Sequence, residues 1–527
     1  MIRPAVYDGL ALAGGLLLPL AFAPFNLSVL ALIALMFLFA AWSAATGPGR
    51  AFRRGYLFGL GQFGLGVSWV YLSMHDYGGA DVLEAGGLTA LFILFLALYP
   101  AFAGWLAIRY FRRPCSPDGI PEMPRPRVVE CVAIFPAVWI LMEWFREWFL
   151  TGFPWLQVGY SQLDTPLKGL APVFGLYGVG WGLALLAGLL LSATRLSRER
   201  RRLVFLGALG LIAASAGLDQ VRWSRPAGAP FQVTLLQGNV AQDMKWQPDN
   251  QRATLEKYLR LTRNHWDSKL IVWPETAVPA FYQQVKDSYL VELEREAREH
   301  DTDILLGIPY YNRTEDRYYN ALVALGRNPG FYLKRHLVPF GEFLPLRPLL
   351  AWVLEILQIP LGDFAAGGDH QPLLMAANHP LAASICYEDI FGQESLVGLP
   401  GAAYLVNVTN DAWFGDSIAP YQHVQMARMR ALETGRWMLR ATNTGVTAII
   451  DSRGTIVAKA PMFREAYLSG QITPMKGRTP YVFWGNTPVV TAGMLVLGTL
   501  AWRKLRAADK YKEADSEQRA RISQPAL

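Results

Sequence analysis

Long apolar segments separated by short polar loops dominate the first 225 residues of this 527-residue chain. A helix needs on the order of 20 residues to cross a hydrocarbon core about 30 Å thick. Seven segments have roughly that length, and an eighth follows a long stretch without such runs. We place the eight spans at 6–23, 27–46, 55–75, 86–108, 128–148, 166–193, 203–220 and 482–502. We therefore predict a polytopic helical membrane domain at 1–225 and one carboxy-terminal membrane helix at 481–503.

The region at 226–480 shows a different pattern, which is typical of a globular α/β domain. Short apolar or β-branched runs bounded by turn residues predict strands, as in "KLIVWPET" at 269–276. Between such runs, apolar positions recur with helical spacing beside charged faces at 250–266, 286–299 and 420–440. A layered architecture with helices outside packed sheets accounts for this order.

Composition and charge agree with a chain that is partly embedded in lipid. Hydrophobic residues make up 52% of the sequence and charged residues only 17%, which is more apolar than an ordinary soluble domain. The net charge of +7 could indicate nucleic-acid binding, but the arginines lie in short clusters between the apolar spans. Such clusters are typical of membrane topology, so we expect no nucleic-acid partner.

The positions of the basic clusters predict the orientation of the chain. Clusters lie at 50–54, 109–127 and 195–202, which are alternate loops, and a fourth lies in the polar tail at 504–527. The alternate loops and the tail fall on one side of the membrane, and the positive-inside rule makes that side cytoplasmic. The domain at 226–480 is therefore expected outside the cytoplasm, and the carboxy terminus inside it.

Three polar residues of this domain stand where predicted strands end. Glu275 follows "LIVWP", Lys334 follows "GFYL" and Cys386 follows "LAASI". Strand ends are where α/β domains present reactive groups to a crevice. A thiol reacts as a thiolate, which needs a base to take its proton and a cation to hold the anion. Glu275 can supply the base, and Lys334 can supply the cation and then stabilise an oxyanion.

Each of these residues also has an ordinary structural explanation. A lone buried cysteine is more often an inert small apolar residue. Glu275 could cap the next segment, and Lys334 could be an exposed charge on an edge strand. The other cysteines, Cys115 and Cys131, form no disulfide framework or metal-ligand spacing with Cys386. The cysteine spacing indicates no metal site, and because no glycine-rich phosphate loop follows the first strand of the domain, we expect no nucleotide cofactor.

The sequences around the three residues resemble the nitrilase superfamily, which uses a Glu-Lys-Cys triad. They are "WPE" at 273–275, "YLKRHLVPFGE" at 332–342 and "CYE" at 386–388. Together with the membrane spans, the whole chain resembles the bacterial apolipoprotein N-acyltransferase family, a membrane-embedded branch of that superfamily. Further motifs that match this family are "TGFPWLQVGYSQ" (151–162), "QGNVAQDMKW" (237–246), "NVTNDAWFGDS" (407–417) and "TPYVFWGNTP" (479–488).

The resemblance implies an αββα sandwich and a reaction. A fatty acyl chain would pass from a membrane phospholipid, through a thioester, to the α-amino group of the diacylglyceryl-modified amino-terminal cysteine of an apolipoprotein. Glu275 would be the general base, Lys334 the oxyanion-stabilising cation and Cys386 the nucleophile. The residues that match supporting positions of the family are Glu342, Glu388, Trp246 and Tyr387.

The resemblance also implies a place in the cell and a set of partners. The chain would be a multi-pass protein of the bacterial inner membrane, with its catalytic domain in the periplasm and its tail in the cytoplasm. It would need no cofactor beyond its two lipid substrates, and the sequence does not indicate its oligomeric state. We expect the aromatic segments at 68–79 and 151–157 to line the route by which lipid reaches the thiol.

Two other functions are open at this stage. The first is a membrane-tethered amidase or hydrolase of the nitrilase type, in which water rather than an amine resolves the thioester. The second is a transporter, although the spans show neither matching halves nor paired intramembrane charges. Within the spans, the cationic Arg146 is a candidate for holding a lipid phosphate.

Overall fold

The structure is a computed structural model that describes residues 4–112, 128–194, 196–242, 245–345, 348 and 363–522. Some of the predictions above concern residues outside these ranges. They are Cys115, the arginines Arg113, Arg125, Arg127 and Arg195, and the last five residues of the tail. The helices and strands below belong to the described part of the chain.

Helices occupy all eight positions at which the sequence predicts a membrane span. The amino-terminal helices are α1 (Pro4–Leu17), α2 (Val29–Ser43), α3 (Pro48–Gly66), α4 (Val70–Leu72), α5 (Val82–Leu106), α6 (Phe135–Trp148), α7 (Ala171–Ala193) and α8 (Arg198–Asp219). The carboxy-terminal helices are α13 (Pro480–Trp484) and α14 (Thr487–Ile522). The apolar pattern of the sequence therefore predicts where these helices form.

Not all of these helices are long and apolar enough to cross a membrane by themselves. Among the described residues, four segments meet that description: Pro4–Ala21, Val82–Phe111, Pro166–Ala193 and Arg198–Asp219. A fifth forms if α3 and the segment Val70–Tyr77, which are bent by 57° relative to each other, count as one span. Helix α2 is apolar but has only 15 residues. The presence of several apolar helices is confirmed, and the number eight stays a prediction.

The region that follows consists of two six-stranded sheets and a short two-stranded ribbon. The first sheet has the order β13-β2-β3-β4-β5-β6 and the second the order β12-β11-β10-β9-β8-β7, while β1 pairs with β14. The strands are β1 (Ser224–Pro226), β2 (Phe231–Gln237), β3 (Leu270–Val272), β4 (Asp303–Asn312), β5 (Arg317–Leu325), β6 (Gly330–Leu333), β7 (Leu374–Ala376), β8 (His379–Ile385), β9 (Tyr404–Thr409), β10 (Met438–Thr442), β11 (Ala448–Ile450), β12 (Ile456–Lys459), β13 (Ala466–Ile472) and β14 (Met475–Gly477).

The two sheets pack face to face and carry helices on their outer faces. One core cluster joins Leu235 and Val272 of the first sheet to Val406 and Leu439 of the second. The helices of this domain are α9 (Pro248–Arg263), α10 (Tyr282–Val285), α11 (Val291–Glu299) and α12 (Ala419–Thr434). Helices α9 and α11 cover the first sheet, and α12 covers the second. The predicted layered α/β architecture is therefore confirmed.

Parallel strands at the centre of each sheet bring the candidate residues to the strand ends. In the first sheet β3 runs parallel to β2 and β4, and in the second β9 runs parallel to β8 and β10. Glu275 follows β3 and Cys386 follows β8. The carboxyl ends of parallel strands lie at one edge of a sheet, so the fold places these two residues where a crevice can form between the sheets.

The helical region docks on the α/β domain through α12. The side chain of Gln422, near the start of α12, accepts hydrogen bonds from the indole nitrogens of Trp155 (2.6 Å) and Trp69 (3.3 Å). Its amide nitrogen donates to the carbonyl oxygen of Gly66 (3.2 Å), at the end of α3. The bend after α3 is therefore tied to the domain that contains Cys386. The predicted limits of the domains, at 225 and 480, stay predictions.

Candidate active site

Cys386 lies at a sharp turn directly after strand β8. Its backbone φ is +51°, in the left-handed region that non-glycine residues adopt only at an energetic cost. The residue opens the 3₁₀ turn Cys386–Ile390, in which Tyr387 and Glu388 are buried while Cys386 itself is partly exposed. The turn thus holds a strained residue in place, and Cys386 is less buried than the two residues that follow it.

Glu275 is held by hydrogen bonds to both oxygens of its carboxylate. The side-chain nitrogen of Asn320 donates to Oε1 (2.7 Å), and the backbone N–H of Asn410 donates to Oε2 (2.8 Å). Glu275 as a whole residue is 6% exposed. Strand β4 passes so close that a Cβ at Gly307 would lie 2.6 Å from the Cα of Glu275, so only glycine fits there. These contacts orient a buried carboxylate towards the space between the sheets.

Lys334 follows strand β6 and is 1% exposed. Its Nζ donates to Oε1 of Glu342 (2.8 Å) and lies 3.6 Å from Oε1 of Glu275. Burial opposes the charge of the ammonium group, but the carboxylates of Glu342 and Glu275 more than offset this and raise the pKa of Lys334. The lysine is therefore a fixed positive charge between two carboxylates.

The surroundings of the thiol act on it in opposite directions. Burial and the carboxylate of Glu275 raise the pKa of the Cys386 thiol well above its usual value. The ammonium group of Lys334 and a hydrogen bond with the side chain of Thr409 act to lower it. The thiol is therefore subject both to a carboxylate that opposes its ionisation and to a cation that favours the thiolate.

Glu342 and Glu388 stabilise the site in different ways. Glu342 contacts the ammonium group of Lys334, and its second oxygen accepts from the backbone N–H of Val338 (2.8 Å). Glu388 accepts from the backbone N–H of Arg335 (2.6 Å) and from that of Ile385 (2.6 Å). Glu342 thus orients the cation directly, whereas Glu388 ties the segment after Lys334 to the residue before Cys386.

Tyr387 connects the turn to the helical region. Its hydroxyl donates to the carbonyl oxygen of Gly152 (3.1 Å), which belongs to the loop after α6. On the other side, the hydroxyl of Ser73 donates to the carbonyl oxygen of Trp413 in the α/β domain (2.8 Å). Both aromatic segments that we expected to line the lipid route therefore contact the α/β domain, one of them at the residue next to Cys386.

Trp246 is half-buried in the turn after β2, and its neighbour Lys245 is the residue that contacts the site. The ammonium group of Lys245 donates to the carbonyl oxygen of Glu275 (3.4 Å) and to the hydroxyl of Thr276. Burial lowers the pKa of Lys245 to about 8, although Glu275 acts in the opposite direction. The prediction for Trp246 stays a prediction, and Lys245 was missed although it precedes Trp246 in the same motif.

Neither of the two residues that donate hydrogen bonds to the carboxylate of Glu275 was predicted from the sequence. Asn320 is a polar residue between Tyr319 and the apolar run "ALVAL" (321–325) of β5, and this break in the pattern was a usable indication. Asn410 contributes its backbone N–H, which every residue except proline possesses. No side-chain pattern could have revealed that contact.

The guanidinium group of Arg146 contacts the backbone of the loop after α6. It is 2% exposed, and its guanidinium group donates to the carbonyl oxygens of Phe153 (2.8 Å) and Trp155 (2.6 Å). The group also faces the ring of Phe63 at 5.2 Å. These contacts hold the loop after α6 that reaches Tyr387, and the hypothesis of a lipid phosphate at Arg146 stays a prediction.

Comparisons with known proteins cover both parts of the chain. A family described as the apolipoprotein N-acyltransferase N-terminal domain matches residues 14–189, and a carbon-nitrogen hydrolase family matches residues 232–480. The apolipoprotein N-acyltransferase of Methylococcus capsulatus is 58% identical over 96% of this chain and 98% of its own length. That of Nitrosomonas europaea is 45% identical over 91% of this chain and 94% of its own length. The chain therefore belongs to the apolipoprotein N-acyltransferase family.

Proposed function

We propose that this protein transfers a fatty acyl chain from a membrane phospholipid to the α-amino group of the diacylglyceryl-cysteine at the amino terminus of an apolipoprotein. The observation that carries the proposal is the buried Lys334, placed between Glu275 and Glu342 and acting electrostatically on Cys386. Membership of the family supports it, as do the apolar helices beside the α/β domain.

The first half-reaction forms the acyl-enzyme. Glu275 takes the thiol proton while the sulfur of Cys386 attacks the ester carbon of the phospholipid, and Lys334 stabilises the resulting oxyanion. The carbon–sulfur bond forms, the ester carbon–oxygen bond breaks, and Glu275 returns the proton to the departing lysophospholipid. The acyl chain is then held as a thioester on Cys386.

The second half-reaction consumes the thioester. The amine of the apolipoprotein attacks the thioester carbon and forms an amide, while the carbon–sulfur bond breaks. Glu275 accepts a proton from the amine and transfers it to the departing sulfur, which restores the thiol of Cys386. Because each substrate reacts with a different form of the enzyme, we expect ping-pong kinetics.

Both substrates carry acyl chains, so the site has to be reached from lipid. The proposed location is the bacterial inner membrane, with the α/β domain in the periplasm and α14 continuing into a cytoplasmic tail. The alternate basic loops of the sequence support this orientation. The contact between Gly152 and Tyr387 supports a route from the helical region to the thiol.

The direct test supplies the purified full-length protein with a phospholipid labelled in its acyl chain and with a diacylglyceryl peptide. We expect N-acylated peptide and lysophospholipid in equal amounts. The alternative, a membrane-tethered hydrolase, would release labelled free fatty acid and leave the peptide unchanged. That second result would contradict the proposal.

Replacing Lys334 by methionine tests the proposed cation. Loss of a positive charge that stabilises an oxyanion is expected to slow acyl-enzyme formation by about 10²- to 10³-fold. The variant also leaves Glu275 and Glu342 without their cation, so we expect a loss of stability of about 3–5 kcal/mol. Single-turnover measurement of label transfer to the enzyme gives the rate, and thermal unfolding gives the stability.

The matched control is Lys269→Met, because Lys269 is an exposed lysine of the same domain paired with Asp301. An exposed pair contributes about 0–1 kcal/mol, so this variant should keep its rate and its stability. A Lys334→Met protein that unfolds like the control and forms acyl-enzyme at the parental rate would show that Lys334 is not the oxyanion cation.

A further inference from the structure

Four ionisable side chains form a buried cluster that includes one residue of the turn Cys386–Ile390. They come from different elements: Asp389 from the turn itself, Asp411 from the segment after β9, His423 from α12 and Arg440 from β10. Each is 0–1% exposed. We call these four residues the charge cluster. Burying charges is costly unless they are paired, so the pairing within the cluster determines what it does.

Both ring nitrogens of His423 face carboxylates. Nε2 lies 2.9 Å from Oδ1 of Asp389, and Nδ1 lies 3.0 Å from Oδ1 of Asp411. An ionised carboxylate can only accept, so both nitrogens have to donate, and a histidine with two donors is the imidazolium. The geometry therefore requires a positive charge on His423. The two carboxylates also raise the pKa of His423, against the opposing effects of burial and Arg440.

Arg440 binds the same two carboxylates through their other oxygens. Its guanidinium group donates to Oδ2 of Asp389 (2.9 Å) and to Oδ2 of Asp411 (3.2 Å). The cluster thus holds two negative and two positive charges and is neutral as a whole. The rings of Trp155 and Phe414 also contact the ring of His423, and they bring no charge.

The cluster is connected to the nucleophile by short paths. Arg440 donates to the side-chain oxygen of Asn407 (2.6 Å), and the side-chain nitrogen of Asn407 donates to the carbonyl oxygen of Cys386 (3.3 Å). The hydroxyl of Thr409 donates to Oδ1 of Asp411 (3.2 Å). The carboxylate of Asp411 itself acts to raise the pKa of the Cys386 thiol. A change in the net charge of the cluster should therefore change the pKa of the Cys386 thiol.

We propose that His423 is a positioning residue for the nucleophile: with Arg440 it balances Asp389 and Asp411, so that no net charge behind Cys386 opposes the thiolate. The proposal rests on Cys386 being the nucleophile, and it adds a role for a residue that touches neither the sulfur nor the substrate. Without the imidazolium, one buried carboxylate is unbalanced and the field of Lys334 at the thiol is partly cancelled.

The direction in which each variant changes thiolate formation at Cys386 distinguishes an electrostatic role of His423 from a purely structural one. His423→Gln removes one positive charge, so the cluster becomes negative and thiolate formation becomes harder. Asp411→Asn removes one negative charge, so thiolate formation becomes easier. The double variant Asp411→Asn/His423→Gln is neutral again and should resemble the parent. Loss of packing alone would not produce shifts of opposite sign that cancel.

The measurement is the rate of alkylation of Cys386 by iodoacetamide as a function of pH. The full-length protein is used in a Cys115→Ala/Cys131→Ala background, so that Cys386 is the remaining thiol, and Cys386→Ala provides the blank. We expect His423→Gln to react about tenfold more slowly near neutral pH, which corresponds to a rise of about one unit in the apparent pKa. Asp411→Asn should react several-fold faster, and the double variant should react within about threefold of the parent.

Two results would overturn the proposal. One is a pH profile for His423→Gln that coincides with that of the parent, and the other is a shift of Asp411→Asn in the same direction as His423→Gln. If His423→Gln fails to fold, the test remains possible with the other proteins. Asp411→Asn should then react faster than the parent, and adding His423→Gln in the double variant should reverse that increase. Alkylation does not require acyl transfer, so a failure of the proposed enzymatic function would be recognised separately, by transfer that persists in Cys386→Ala.

Discussion

Replacing Cys386 by alanine is expected to abolish acyl transfer, with a loss on the order of 10⁴-fold or more. The reason is that the thiol is the atom that would hold the acyl chain between the two half-reactions. Parent enzyme incubated with labelled phospholipid and no acceptor should retain label that hydroxylamine releases, as a thioester requires. The alanine variant should retain none, as judged by mass spectrometry of the intact protein.

The control for this experiment is Cys131→Ala. Cys131 is also a free cysteine, but it is fully buried in the helical region, with its sulfur 3.8 Å from the hydroxyl of Ser43. We expect this variant to keep its activity and its covalent label. A Cys386→Ala enzyme that still transferred more than a tenth of the parental amount would contradict the proposed mechanism.

Glu275→Gln is expected to change two measurements in opposite directions. Glutamine cannot accept the thiol proton or the amine proton, so acyl transfer should fall by about 10²- to 10⁴-fold. The negative charge of Glu275 raises the pKa of the Cys386 thiol, so its removal should increase the thiolate fraction near neutral pH. Alkylation of Cys386 should therefore become about tenfold faster while catalysis is lost.

This pair of readouts distinguishes a missing base from a damaged site. Glu296→Gln, which breaks the surface ion pair with Arg263, is the control and should leave both rates near parental values. If alkylation and transfer in Glu275→Gln fell together, the variant would have lost the geometry of the site. If transfer stayed near the parental rate, Glu275 would not be the general base.

The candidate residues could be located from the sequence because strand ends are local features. Glu275, Lys334 and Cys386 each follow an apolar run, and the structure places each of them directly after a strand or within a few residues of one. What the sequence could not supply is how these residues are held. Asn410 and Glu275 are separated by 135 positions, and Tyr387 and Gly152 by 235. Such contacts depend on how two sheets and a helical region pack.

The contacts of Arg146 were likewise not predictable from the sequence. A cation inside an apolar span is a reasonable candidate for binding a lipid phosphate, and nothing near it in the sequence argues against that role. In the structure, Nη1 of Arg146 donates hydrogen bonds to the carbonyl oxygens of Phe153 and Trp155. The charge cluster is a second case, because Asp389, His423 and Arg440 lie on three different elements and show no common spacing.

The sequence by itself determined the apolar helices, the alternating strands and the strand ends at which the candidate site residues lie. It could do so because hydrophobic periodicity is a property of neighbouring residues along the chain. The tertiary structure alone decided that Lys334 lies between two carboxylates, that Glu388 ties its segment to the Cys386 turn, and that His423 lies buried between Asp389 and Asp411. These outcomes depend on pairing charges and hydrogen bonds between distant elements, and the energy of a buried charge is set by the groups that surround it in space.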